Sequence, residues 1–234
     1  MTRASLLIAF GVGCRAETLG VEVPRGGPDA ISVEDLQRDA RALLGPDGVR
    51  RPGTPGHRAV TGHFAQRLQQ MRMLPGFGRE WQTPLEDDGL LVCGMKDGST
   101  EMGVVVLARD PGDGAARGPV DLAGLVSLAK AYDTPARPAA TLVICGQFSG
   151  DRPPTLGGRP PVPASQRSGA VVVVAGLGGG VGPPSPGPEL GSGGETVQWP
   201  GGAGPAAATL DAVDYRVVAS DLEALYREIE ARMR

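Results

Sequence analysis

The sequence predicts an α/β fold built on a sheet that is covered on both faces. Residues 139–145 and 170–175, the latter with four consecutive valines, are continuous apolar runs without polar alternation. Strands buried on both sides have that pattern. Ahead of them, residues 121–132 (DLAGLVSLAKAY) place Leu122, Leu125, Leu128 and Ala129 at helical spacing, and strands that alternate with helices pack in layers. With 234 residues the chain is long enough for one sizeable domain, whereas a second would be cramped.

Taken in order, the chain opens on MTRASLLIAFGVGC, with one arginine, an apolar run over residues 6–12 and then small residues. The run is too short to span a bilayer and fits the apolar region of a secretory signal. Its end at Gly13-Cys14 resembles a bacterial lipoprotein signal, in which the cysteine is lipidated and becomes the new N-terminus, although Gly11 stands where leucine is usual. Residues 1–14 are read as this segment, with lipid attachment at Cys14, and residues 15–30 as a polar linker. The protein is then exported to the cell envelope or periplasm and touches a membrane through its lipid alone. The alternative is a buried first strand that ends in an ordinary cysteine.

Residues 31–234 form the single domain. Ser32 with Asp35 predicts a helix start, Val33, Leu36, Ala40 and Leu43 its apolar face, and Gly45 its end. Thr54-Pro55 opens a second helix with Val60, Phe64, Leu68 and Met71 inward. Residues 90–95 and 103–108 read as strands joined by Asp97-Gly98, a hairpin. The helix over 121–132 and the two apolar strands follow. Pro/Gly-rich stretches at 151–168 and 178–208 read as loops. Residues 215–219 suggest a strand, and Ser220 with Glu223 a capping box opening a last helix with Leu222, Leu225, Tyr226, Ile229 and Met233 on one face.

Composition excludes some functions. Lys+Arg 23 against Asp+Glu 26 leaves a net charge of −3, which makes no field suited to nucleic acid. Cys93 and Cys145 each lie inside an apolar run and read as buried thiols rather than a bridge, with their pairing left open. His57 and His63 are six apart, so a helix turns them to different faces and both read as solvated. Residues 171–182 (VVVVAGLGGGVG) have a glycine-rich turn after a strand, but Val181 occupies the place of the third glycine of a dinucleotide loop and Pro183-Pro184 block the helix it needs. Ser149 after a strand lacks the flanking glycines of a nucleophile elbow, because Gln147 and Asp151 stand there.

The order of segments resembles the zinc-dependent exopeptidases of the aminopeptidase type, a family with two co-catalytic zinc ions that includes secreted bacterial aminopeptidases and, more distantly, glutaminyl cyclases. The likeness spans roughly residues 31–175 and is most specific at Arg50-Arg51-Pro52-Gly53-Thr54-Pro55-Gly56, which matches the family's Arg-x-x-Gly-Thr-x-Gly segment at an early helix. It implies a three-layer αβα sandwich with a mostly parallel mixed sheet. The metal ligands depart from the pattern: Arg109 stands at the histidine place, Pro111 at the aspartate place, and Phe148-Ser149, or Gln147-Phe148 after a one-residue shift, replace the glutamates. Asp121 alone matches, at the bridging aspartate.

A two-zinc hydrolase needs imidazole and carboxylate donors and a free glutamate, so the resemblance with these departures implies a catalytically inactive, aminopeptidase-like domain without cofactor that binds a protein or peptide or serves as a structural part. Arg109, Asp110, Asp113, Asp121 and Gln147 would line its degenerate cleft, with the Arg109 guanidinium in the vacated cationic space, paired with Asp121. The alternative is an active zinc exopeptidase with ligands relocated among His57, His63, Asp110, Asp113, Asp121 and Asp151. A third reading, a hydrolase using Ser149 without metal, has no base nearby in the sequence.

Overall fold

Ser32 caps α1 (Val33–Leu44), its hydroxyl accepting the Asp35 N–H at 3.1 Å, and Gly45 closes that helix at a φ of 74° that only glycine adopts freely. Thr54 caps α2 (Pro55–Gln70) by accepting the His57 N–H at 3.2 Å. Both helices begin where their capping residues predict. These features come from a computed structural model, which describes residues 26–45, 48–150, 153–156, 161, 167–178, 185–186, 195–200 and 209–234. The lipoprotein-like segment with Cys14, and Asp151, lie outside the described residues. The fold already holds the end of the expected linker: the Gly27 N–H donates to the Ala131 carbonyl at 2.7 Å and residues 28–30 form a 3₁₀ turn.

Among the described residues eight strands make one mixed sheet: β1 (Leu74–Pro75), β2 (Gln82–Pro84), β3 (Leu90–Lys96), β4 (Met102–Asp110), β5 (Thr141–Phe148), β6 (Arg167–Ala175), β7 (Ser185–Pro186) and β8 (Glu195–Pro200). Their order is β1-β3-β5-β4-β6-β8-β7, with β2 also on β3; β5, β4, β6 and β8 run parallel, and β3 and β7 antiparallel to their neighbours. The helices α3 (Arg117–Ala131) and α4 (Tyr215–Arg232) complete the fold with α1 and α2. The protein is thus α/β, a mostly parallel sheet flanked by helices.

Side chains alternate along the central strands. Val104, Val106, Leu142, Ile144, Val172 and Val174 join one large core with the apolar faces of all four α-helices. Val105, Leu107, Val143 and Val171 face the opposite way, where the covering residues among those described include Phe77, Leu85 and Leu156. The valine runs escape polar alternation because both of their faces are buried.

Four expectations need correction. No hairpin joins β3 and β4, because β5 lies between them. Gly98 is a glycine for a different reason: a Cβ there would stand 2.2 Å from the Ala140 carbonyl carbon, so close approach, not a tight turn, requires it. Residues 215–219 are not a strand but the first turns of α4, whose start is capped by Asp214 accepting the Arg216 N–H at 3.0 Å. Val218, Leu222, Leu225 and Ile229 continue one buried stripe, so helical period overrides the β-branched pair at its start, and Ser220 lies inside the helix rather than at its cap. α3 begins four residues earlier than expected, since Pro119 fits the first turn, where its missing N–H has no partner to lose. The stretch 178–208 holds two strands, β7 and β8, that its glycines and prolines concealed.

Cys93 and Cys145 are a disulfide, not buried thiols. They face each other across the antiparallel β3–β5 pair with Cα atoms 4.2 Å apart, a register that brings cross-strand side chains together.

Candidate functional site

The parallel strands reverse their direction of progression between β4 and β6. From β4 the chain crosses through α3 to β5 on one side, and from β6 it continues to β8 on the other. An open α/β sheet leaves a crevice at the carboxyl ends of the strands where such a reversal occurs. A cavity of about 680 Å³ lies there, with Arg109 from the end of β4, Arg117 and Asp121 from α3, and Ala175 from the end of β6 among its lining residues.

The five residues expected to line a cleft divide. Arg109, Asp113 and Asp121 reach this cavity. Asp110, next to Arg109, alternates to the other side of β4 and is 2% exposed. There it meets Arg50, a pairing the sequence did not suggest: Arg50 Nε donates to Oδ2 at 2.7 Å and Nη2 to Oδ1 at 2.9 Å. Arg50 is itself buried, and its Nη1 donates to the Leu44 and Gly48 carbonyls at 3.0 and 2.7 Å. The Arg-x-x-Gly-Thr-x-Gly segment therefore anchors the end of β4 to the loop before α2. Gln147 is fully buried. Its amide donates to the Pro153 carbonyl at 2.9 Å and accepts the Thr155 N–H at 2.7 Å, which holds the loop after β5 against the cavity, and it also bonds the Ser149 hydroxyl at 2.5 Å. Ser149 is thus a structural hydroxyl at a strand end.

Asp121 does not pair with Arg109. Its oxygens accept the Gly176 N–H at 3.1 and 3.0 Å and the Leu177 N–H at 2.8 Å, and the nearest guanidinium is Arg117, 4.0 Å away on the next turn of α3. Arg117 and not Arg109 holds that place because α3 starts early enough to stack the two residues at i and i+4. Burial pushes the Asp121 carboxyl up to about 6, against the opposing pull of the two N–H groups and Arg117.

The glycine-rich turn that looked like a phosphate loop is an anion site filled from within. Gly176 and Gly178 take φ of 88° and 91°, and the three successive N–H groups of residues 176–178 meet carboxylates: Asp121 takes the first two, and Asp221 of α4 takes the Gly178 N–H at 2.8 Å. Asp221 lies within the Ser220–Glu223 stretch whose pattern predicts a capping box. A buried acid in the middle of a helix stripe was the signal available for it.

The histidines do not join this site. His57 is 2% exposed rather than solvated, and its Nε2 lies 3.2 Å from the Phe148 carbonyl oxygen, an acceptor that requires Nε2 to carry the proton. His63 faces α1, 4.0 Å from Asp39, and burial holds its pKa below the ordinary histidine range.

No family model matches the sequence, and no curated protein matches it. Solved structures do. The glutaminyl cyclase of Porphyromonas gingivalis is 12% identical with a TM-score of 0.64, over 88% of this chain and 98% of that one. A Zn-dependent exopeptidase of Parabacteroides distasonis is 11% identical with a TM-score of 0.63, over 85% and 98%. A leucine aminopeptidase precursor of Bacteroides thetaiotaomicron is 11% identical with a TM-score of 0.63, over 84% and 96%. The chain has the fold these proteins share.

One of these neighbours is Zn-dependent, and the donor set at the strand ends of this chain does not fit zinc. Zinc is held by imidazole, thiolate and carboxylate groups. Here Asp110 is engaged by a guanidinium, Asp121 by peptide N–H groups, and His57 presents a protonated nitrogen to a carbonyl. The cation beside Asp121 is the Arg117 guanidinium, 4.0 Å away, which repels a metal ion. Among the described residues no three His, Cys, Asp or Glu side chains converge.

Proposed function

We propose that the protein is an exported, lipid-anchored domain of aminopeptidase-like fold that has no peptidase activity and acts by binding a peptide or protein in the cavity at the strand ends. The observation that carries this reading is the internal engagement of the acids. Asp110 and Asp121, the carboxylates at the strand ends, are each bound by the chain's own donors. The cavity that remains has the size of a small-ligand site, about 300–1,000 Å³, and is walled largely by apolar groups. The Cys93–Cys145 disulfide supports export, since such bonds persist in oxidising compartments.

The test is metal content of the purified chain, followed by zinc titration against thermal stability and assay of aminoacyl anilide hydrolysis with zinc in excess. The expected outcome is no stoichiometric metal, no rise in melting temperature and no hydrolysis. A tightly bound equivalent with a raised melting temperature and released aniline would replace this reading with that of a zinc exopeptidase. Anchoring is tested separately by Cys14→Ala, which should move the protein from the membrane fraction to the soluble one.

A further inference from the structure

The cavity presents two guanidinium groups, Arg109 and Arg117, among apolar walls that include Pro111, Ala115, Pro153 and Val173. The Arg117 side chain is half exposed and makes no hydrogen bond among the described residues; Asp121, at 4.0 Å, is its nearest acid. Its fork of N–H donors is unspent because the Asp121 oxygens are already taken by the Gly176 and Leu177 N–H groups. Gly176 gives the guanidinium its seat, since a Cβ there would stand 3.1 Å from Nη2.

The charges select among anions. Asp113 at the rim and Asp121 within the cavity offset the two arginines, so the site suits a single negative charge better than a phosphate dianion. A planar fork matches the two oxygens of a carboxylate, and the proline, alanine and valine walls suit an apolar group beside it. We infer that the cavity binds the free C-terminal carboxylate of a short apolar peptide, gripped by Arg117. This rests on the binding role proposed above and adds the chemistry of the ligand.

The experiment is calorimetric titration of the full chain with acetyl-Ala-Ala-Val as its free acid and as its C-terminal amide. The acid should bind at least about 10-fold more tightly, the range of a charge-assisted pair. Arg117→Gln, a substitution at a half-exposed position, should bring the acid down to the affinity of the amide without moving the amide. Arg117→Lys, which keeps the charge without the fork, should recover only part of the preference. Equal binding of acid and amide by the parent would overturn the inference while leaving a peptide-binding role intact. Binding of neither form, retention of the preference in Arg117→Gln, or inorganic phosphate binding more tightly than the acid would also overturn it. Zinc-dependent hydrolysis of either peptide is the separate result that would remove the binding role itself.

Discussion

Asp121→Asn removes the charge of the buried acid and keeps its shape. In the unfolded chain this carboxyl titrates near 3.8, and in the fold burial raises it to about 6. Between those values the native state holds a proton that the unfolded chain has lost, so native stability falls as pH rises through the window and the loss is complete above the folded value. A difference of about two pKa units corresponds to about 3 kcal/mol. Asparagine can still accept the Gly176 and Leu177 N–H groups through Oδ1, so the variant should match the parent near pH 4 and gain on it as pH rises. The assay is urea unfolding of both chains at steps between about pH 4 and pH 8, plotted as the difference in stability so that other titrating groups cancel. A rise of about 3 kcal/mol in favour of the variant is expected by pH 7. A difference that stays flat would refute the reasoning, because it would mean that the two N–H groups and Arg117 fully offset the burial of the charge.

Asp110→Asn leaves the Arg50 guanidinium buried beside a neutral group and should cost about 3–5 kcal/mol in urea unfolding. Replacing Cys93 and Cys145 together by alanine opens a link across 52 residues and should cost about 4 kcal/mol on the loop-entropy account. Dithiothreitol should then lower the melting temperature of the parent and leave that of the double variant where it is.

Much of the fold was legible because local signals agreed with it. Ser32 and Thr54 announced their helices, Gly45 ended one, and the valine run could only be a buried strand. What failed were inferences from one neighbour to the next. Asp97-Gly98 looked like a turn between adjacent strands, but strand order is set by packing across the whole sheet, and the glycine answers to the backbone of β5. The cleft was legible in part. Arg109, Asp113 and Asp121 meet in it, yet the period of two along β4 sends Asp110 to the opposite side of its neighbour Arg109. The pairings of Arg50, Arg117 and Asp221 were not legible, since their partners lie 60, 4 and 43 residues away, and only the first turn of α3, misplaced by its proline, could have revealed that of Arg117.

The two acids at the strand ends differ in how completely the chain compensates them, and that difference separates structure from site. Asp110 receives a full counter-charge with two short bonds, and the same arginine spends its other donors on the carbonyls of residues 44 and 48, so the pair binds the loop before α2 to the end of β4. Nothing there is left for a ligand. Asp121 receives dipoles instead of a charge: two N–H groups contact it, while Arg117 stands at 4.0 Å and keeps its own donors. As the Asp121 proton comes on near pH 6, Arg117 loses its opposing charge, and an ionised carboxylate in the cavity would meet a stronger field. A ligand carboxyl that titrates near 3.5 stays charged through that range. The acid peptide should therefore bind more tightly at pH 5 than at pH 7.5, the amide equally at both, and Asp121→Asn should hold the tighter affinity at either pH. A pH effect that survives in Asp121→Asn would place the titrating group elsewhere and separate the cavity from this acid.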